Sequence, residues 1–249
     1  MNIPQKKIEE LVGENYIYAS VLYYFGIKFY DYSEKTLEEV CKEKGLNIKN
    51  VLSNLESVST MVSDKKVSLI AFPVDLVIEY LKHSHYIFIK QKLPYIARLI
   101  ENLPVKKAEH FLLVEDLKLV FPLFVEDFIH HVYEEEDSLF SYILMLYKAL
   151  DNEYHPSRLY YEMERHSLQQ YATEHACHDD EMKGIRTITK DYTLETNANL
   201  HLKVIFAELQ SFEENLINHA RIENDILFPK AMALERGIKK MFAKKIKQN

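Results

Sequence analysis

His131 and His219 each begin the same short phrase, HVYEEEDSLF and HARIENDILF, in which Glu follows at +4, Asp at +6, Leu at +8 and Phe at +9. On an α-helix, positions i and i+4 lie one turn apart on one face, so His131 with Glu135 and His219 with Glu223 each present an imidazole beside a carboxylate. Imidazole favours first-row transition metals, and a carboxylate can bridge two of them and offset their charge. Two such half-sites on two helices imply two metals.

The competing reading is a solvated face, on which an i,i+4 His–Glu contact contributes a few tenths of a kcal/mol, on the order of 0.2–0.5. The surrounding pattern opposes it. One apolar stripe runs Leu117, Phe121, Phe124, Phe128 and continues in phase through His131, Glu135, Leu139 and Tyr142. The other runs Leu209, Phe212, Leu216, His219, Glu223 and Leu227. Steps of three and four place both pairs on a buried face, where an unpartnered carboxylate is costly. A third stripe, Leu168, Tyr171, His175, Met182 and Ile185, and a fourth, Leu81, His85, Phe88, Tyr95 and Leu99, each add one inward histidine.

From His85 to His131, His175 and His219 the steps are 46, 44 and 44 residues. In an antiparallel bundle, near-equal steps return the chain to one height, so the four histidines are expected to meet. Four imidazoles and two carboxylates make a dinuclear cage, with Glu135 and Glu223 as bridges and open positions left for oxygen, nitric oxide or water. Neither zinc's closed tetrahedron nor calcium's all-oxygen cage has this inventory. Iron fits first and manganese second. Glu134, Glu136, Asp180 and Glu181 read as solvent-facing charges, and His130 points away from the metals. His178 and Asp179, just after His175, are candidates to orient a ligand.

The elements that must position these residues are helical. Five glycines and no tryptophan in 249 residues, with few turn clusters, predict an all-α chain. Residues 1–70 read as a small helical N-terminal module, with a helix starting at Ser33 and stopped by Gly45, and another over Ile48 to Met61. Residues 71–249 read as an up-and-down four-helix bundle built from segments 73–102, 107–148, 157–190 and 198–235. Breaks fall at Asn102 to Pro104, in DNEYHPS from Asp151 and in TLETNAN from Thr193. Pro94, Pro122 and Pro229 fall inside helices and should kink or unwind them.

The net charge of −7 and the absence of a Lys/Arg stripe with interleaved aromatics argue against nucleic acid as a partner. The opening MNIPQKKIEELVGENY carries charges where a secretory signal needs an apolar core. No later stretch is apolar over a membrane's width, so a cytoplasmic chain is expected. Cys41 and Cys177 form no CxxC and read as small buried residues, Cys177 being close enough to the site for a minor redox role.

The phrases HHVYEEEDSLF and NHARIENDILFPKA, with TEHACHDDEMKGIRTIT and KLPYIARLIENL, resemble the hemerythrin-like domain of the repair-of-iron-centres family of di-iron proteins. The resemblance spans about residues 73–235 and is most specific at the paired H-x-x-x-E motifs. It implies a non-haem centre of two iron ions, carboxylate- and oxo-bridged, that acts in restoring iron-sulfur clusters after nitrosative or oxidative stress. By motif, His131, Glu135, His175, His219 and Glu223 carry over as metal ligands. On the first helix an ungapped alignment of Leu93 and Pro94 puts Tyr86 at the ligand position, whereas helical phase favours His85 over His83; a π-bulge near Pro94 would reconcile the two. The residues before the bundle are more weakly similar to the family's N-terminal domain, but the family's cysteine pair is replaced by FYDYSEKTLEEV. The partners implied are diatomic or peroxide ligands, damaged iron-sulfur proteins and a second copy of the chain. A carrier or sensor of oxygen or nitric oxide without turnover is the alternative, and a bundle serving only as a scaffold is a third reading.

Overall fold

Among the described residues the chain is all-helical, without a β-strand and with a single isolated bridge between Lys7 and Thr36. The computed structural model describes residues 3–60, 69–104, 111–150, 155–178, 180–194 and 198–248, with 58–60, 174, 176–178 and 245–248 described by backbone alone. It divides into two compact units. The first comprises Met1–Lys66, Pro94–Leu119 and Ile185–Phe212; the second comprises Val67–Leu93, Val120–Gly184 and Glu213–Asn249. This division follows proximity in space, and so differs in kind from a cut in chain order near residue 70.

The first unit holds α1 (Ile8–Glu14), α2 (Ile17–Tyr24), α3 (Leu37–Glu43) and α4 (Ile48–Thr60). Helix α3 is capped by Thr36, three residues after the Ser33 expected to start it. Thr36 is extended, its hydroxyl accepts from the Glu39 N–H at 3.3 Å, and the Glu39 carboxylate accepts from the Thr36 N–H at 2.8 Å. That reciprocal pair satisfies two donors a helix start otherwise leaves open. Ser33 is engaged in the preceding turn, where its carbonyl takes the Glu9 N–H. Gly45 does terminate α3: at φ +66° it turns the chain so that the Leu46 N–H reaches the Cys41 carbonyl at 2.8 Å. Packing of α1 on α2, and of α2 and α3 on α4, buries Leu11, Leu22, Val40, Cys41, Val51 and Leu55. Burial raises the Cys41 pKa, keeping it a thiol. Met61, expected to end α4, lies outside the described residues, as do 151–154 and 195–197 of the two polar breaks expected from Asp151 and Thr193.

The first long segment is α5 (Val74–Ile87), a π turn at Phe88–Lys92 and α6 (Leu93–Glu101). The second is α7 (Phe111–Glu134), a π turn at Glu135–Phe140 and α8 (Ser141–Ala149). The third is broken where one helix was expected. It forms α9 (Pro156–Arg165), α10 (Leu168–His178) and α11 (Lys183–Thr189). His166 is extended, and the Ser167 hydroxyl accepts from the Gln170 N–H at 3.2 Å, giving α10 its own start. The fourth is α12 (Leu200–Ile222), a π turn at Glu223–Leu227 and α13 (Phe228–Gln248), which runs past the expected end at 235.

Proline explains two of the three π turns. Pro94 and Pro229 each sit two residues after one, where the wider turn accommodates a carbonyl that has lost its N–H partner. Pro122 does not unwind α7, which is helical throughout. In the second unit α5 packs on α8 and on the π turn at Glu223–Leu227, while α13 packs on α8 and α10. Their contact buries Leu81, Phe140, Ile143, Leu146, Leu227 and Phe228. No helix among the described residues is long and apolar enough to cross a membrane.

Candidate metal centre

All six residues singled out by motif and phase converge within the second unit. His85 lies in the last turn of α5, and His131 and His219 lie near the ends of α7 and α12. His175 lies on α10, and Glu135 and Glu223 each open a π turn. His85, Glu135, His219 and Glu223 are buried, with one donor atom from each lying within 4.8 Å of the others; His131, Glu135 and His175 meet the same condition. These two overlapping groups could each hold a metal ion. His83 is exposed and Tyr86 is 57% exposed, so the first helix brings His85 to the cluster.

The carboxylates divide the imidazoles between them. Glu135 Oε1 lies 3.0 Å from His131 Nε2 and 3.4 Å from His175 Nε2, while its Oε2 lies 3.4 Å from His85 Nε2. Glu223 Oε2 lies 3.0 Å from His175 Nε2, and its Oε1 lies 3.3 Å from His219 Nε2. His85 and His219 face one another through Nε2 at 2.9 Å. Despite these approaches, the buried Oε1 atoms of Glu135 and Glu223 accept no hydrogen bond. Buried carboxylate oxygens that converge with ring nitrogens without being satisfied by them are the donor set a cation requires.

Electrostatics point the same way. Burial would raise the Glu135 pKa, but His131, His175 and His85 hold it well below the ordinary carboxylate range. Burial and the charge of Glu135 push Glu223 up, and His219 and His175 outweigh them to bring it down. Glu135 beside His131 lifts that imidazole to about 9. Burial pulls His175 down, yet Glu135 and Glu223 hold it at about 11. Burial likewise opposes charge on His85, and Glu135 and Glu136 overcome it to raise the pKa. Protons on His131 and His175 thus supply, in the metal-free site at neutral pH, positive charge that a metal would bring.

Two carboxylates read as solvent-facing charges belong to this site. Glu136 Oε1 lies 2.9 Å from His85 Nδ1 and accepts its proton, which turns the Nε2 lone pair toward the cluster. Glu181 lies 3.7 Å from His131 Nε2 with its side chain only 28% exposed, and burial raises its pKa. Glu136 was detectable only through the π turn that Glu135 opens, because regular helical phase turns it away from the face that carries Glu135. Glu181 carries no sequence signal, because its placement depends on the helix interruption between α10 and α11. Glu134 and Asp180 are exposed as expected, and His130, 74% exposed, faces Glu134 away from the cluster. Asp179 and the side chains of Cys177 and His178 lie outside the description.

Aromatic rings close the deep side. Phe140 stacks on His85, and Phe88 packs edge-on to His219 and against Phe128, which continues into Phe124 and Phe121. Phe228 meets His175 edge-on. His131, 38% exposed at its side chain, marks the side open to water. No protein-family model matches this chain.

Proposed function

We propose that the chain is a non-haem di-iron protein of the iron-sulfur cluster repair type, with the helices of its second unit arranged as a hemerythrin-like four-helix bundle. The observation that carries this reading is the division of each carboxylate. Glu135 and Glu223 both direct one oxygen to the His131 and His175 side and the other to the His85 and His219 side. A carboxylate so placed suits a bridge, and two of them suit a pair of irons with two imidazoles each.

Bound iron would supply one-electron redox chemistry and open positions for nitric oxide or peroxide. The residues set the conditions for it. Glu136 fixes the His85 ring, and the rings of Phe88, Phe128 and Phe140 exclude water from the His85 and His219 side. His131 and Glu181 form the wetter side, where a proton can be held at Glu181 and where iron leaving for a damaged cluster would meet solvent.

The test is metal content and visible spectrum of the full chain reconstituted anaerobically with iron, beside a His131→Ala, His219→Ala double variant. Two irons with oxo-bridge absorption in the parent, and loss of both in the variant, are expected. Less than one iron per chain in the parent overturns the reading. Iron-loaded protein should then revive an iron-sulfur enzyme damaged by nitric oxide or peroxide. Reversible gas binding without such revival would place the chain among carriers or sensors.

A further inference from the structure

One turn before His175, α10 carries Tyr171, whose hydroxyl has two partners. It lies 2.8 Å from Ser138 Oγ and 3.2 Å from His166 Nδ1. His166 Nε2 lies 3.3 Å from Glu162, so the Nε2–H faces a carboxylate and Nδ1 is left as the acceptor nitrogen. Tyr171 then donates to His166, and Ser138 donates to Tyr171. The His166 ring is stacked on Tyr142 at 4.7 Å, and the Tyr142 hydroxyl donates to Glu235 at 2.8 Å, which fixes the imidazole in place.

Two members of this chain of hydrogen bonds, Tyr171 and Ser138, are tied to the cluster through the elements that carry them. Tyr171 and His175 are i,i+4 neighbours on one helical face, with Cβ atoms about 5–6 Å apart. Ser138 belongs to the π turn that Glu135 opens. On its other side the chain reaches a groove of about 880 Å³, lined by Ser138, Tyr142, Lys148, Arg158, Glu162 and His166. A tyrosine placed only to tie two helices needs one hydrogen bond, and gains nothing from a histidine whose free nitrogen is set by a carboxylate.

We propose that Tyr171 is a redox-active tyrosine serving the metal pair, with His166 as its proton acceptor; this rests on the di-iron reading. A phenol gives up an electron readily only if its proton leaves with it. The O–H bond to His166 provides that exit, and Glu162 balances the resulting imidazolium. The oxidant is hydrogen peroxide reacting at a pair holding one ferrous and one ferric ion. Cleaving the O–O bond to give two waters consumes two electrons and two protons. One electron would come from the ferrous ion and the other from Tyr171. Hydronium from solvent would supply both protons, while the Tyr171 proton passes to His166 and from there to the groove, so that the net uptake is one proton.

The experiment brings iron-loaded full-length protein to the one-ferrous, one-ferric level with one electron equivalent, mixes it with one equivalent of peroxide, freezes it rapidly and records electron paramagnetic resonance, with iron content measured first. A tyrosyl signal that narrows with ring-deuterated tyrosine is expected in the parent. Tyr171→Phe should bind the same iron and lose the signal, His166→Gln should shorten its lifetime, and replacement of the exposed Tyr133 by Phe should retain it. An iron-loaded parent without a radical, or a radical that survives in Tyr171→Phe, overturns the assignment. A lifetime unchanged in His166→Gln overturns the role of His166. A parent that binds no iron overturns the di-iron reading and this one with it.

Discussion

His201 and His85 are both buried, and their surroundings separate two uses of an imidazole. His201 donates through Nε2 to the Leu99 carbonyl at 2.8 Å, has no carboxylate paired with it among the described residues, and burial lowers its pKa. His85 has Glu136 on one nitrogen and a second imidazole and Glu135 on the other. The first is a satisfied core residue. The second is a ring whose tautomer is set from behind. Glu136→Gln should therefore leave the fold intact and weaken metal binding about 10- to 100-fold, as loss of an orienting partner does elsewhere; a chelator competition titration on the two proteins reads this directly, and equal affinities would make Glu136 a bystander. The ligand-type residues were legible because H-x-x-x-E repeats on apolar stripes need only helical periodicity to be understood. Glu136 and Glu181 were not, since one depends on a π turn and the other on the helix interruption between α10 and α11.

At the level of elements, the interruption between α9 and α10 matters most. Ser167 starts the helix that carries both Tyr171 and His175, and its hydroxyl accepts from the Gln170 N–H. Ser167→Ala should lower the stability of the metal-free protein by about 1 kcal/mol, with Ser167→Asp retaining it, both read from urea unfolding midpoints. The SLQQ stretch is the S-x-x-Q start signature, yet the apolar stripe running on through Leu168 and Tyr171 masked it. Thr36 with Glu39 hid in the same way behind Ser33. The long helices themselves were readable from periodicity. Of the π turns, only that near Pro94 had a local cause visible in the stripe phases, and the turn at Glu135–Phe140 contains no proline to announce it.

For the whole molecule, protons and metal compete for one cage, and the two states should respond to pH in opposite senses. His131 is raised to about 9 and His175 to about 11, from an ordinary 6.5. In the metal-free protein their contribution is full below 6.5, declines as pH rises, and is gone above about 9 and about 11 respectively. Glu135, held below its ordinary 4.5, contributes fully above that value and loses its contribution as pH falls through the lower folded pKa. Urea midpoints of metal-free protein should thus fall on both sides of a mildly acidic maximum. The increment that metal adds should grow over the range in which the metal-free midpoint falls at alkaline pH, because binding needs deprotonated imidazoles. Free metal at 100 times its Kd should add about 2.7 kcal/mol for each ion held, which for a chain of this size is a rise of roughly 5–10 °C in Tm per ion by calorimetry. The cage also joins stretches of chain 46, 44 and 44 residues apart in sequence. Loaded, it would act as a set of removable cross-links, holding four points of the backbone together as disulfides would hold them elsewhere. Emptying it would release all four at once, so under the proposed function whatever strips the metal would also open the polypeptide to proteases, and the metal supply would set how long each copy lasts.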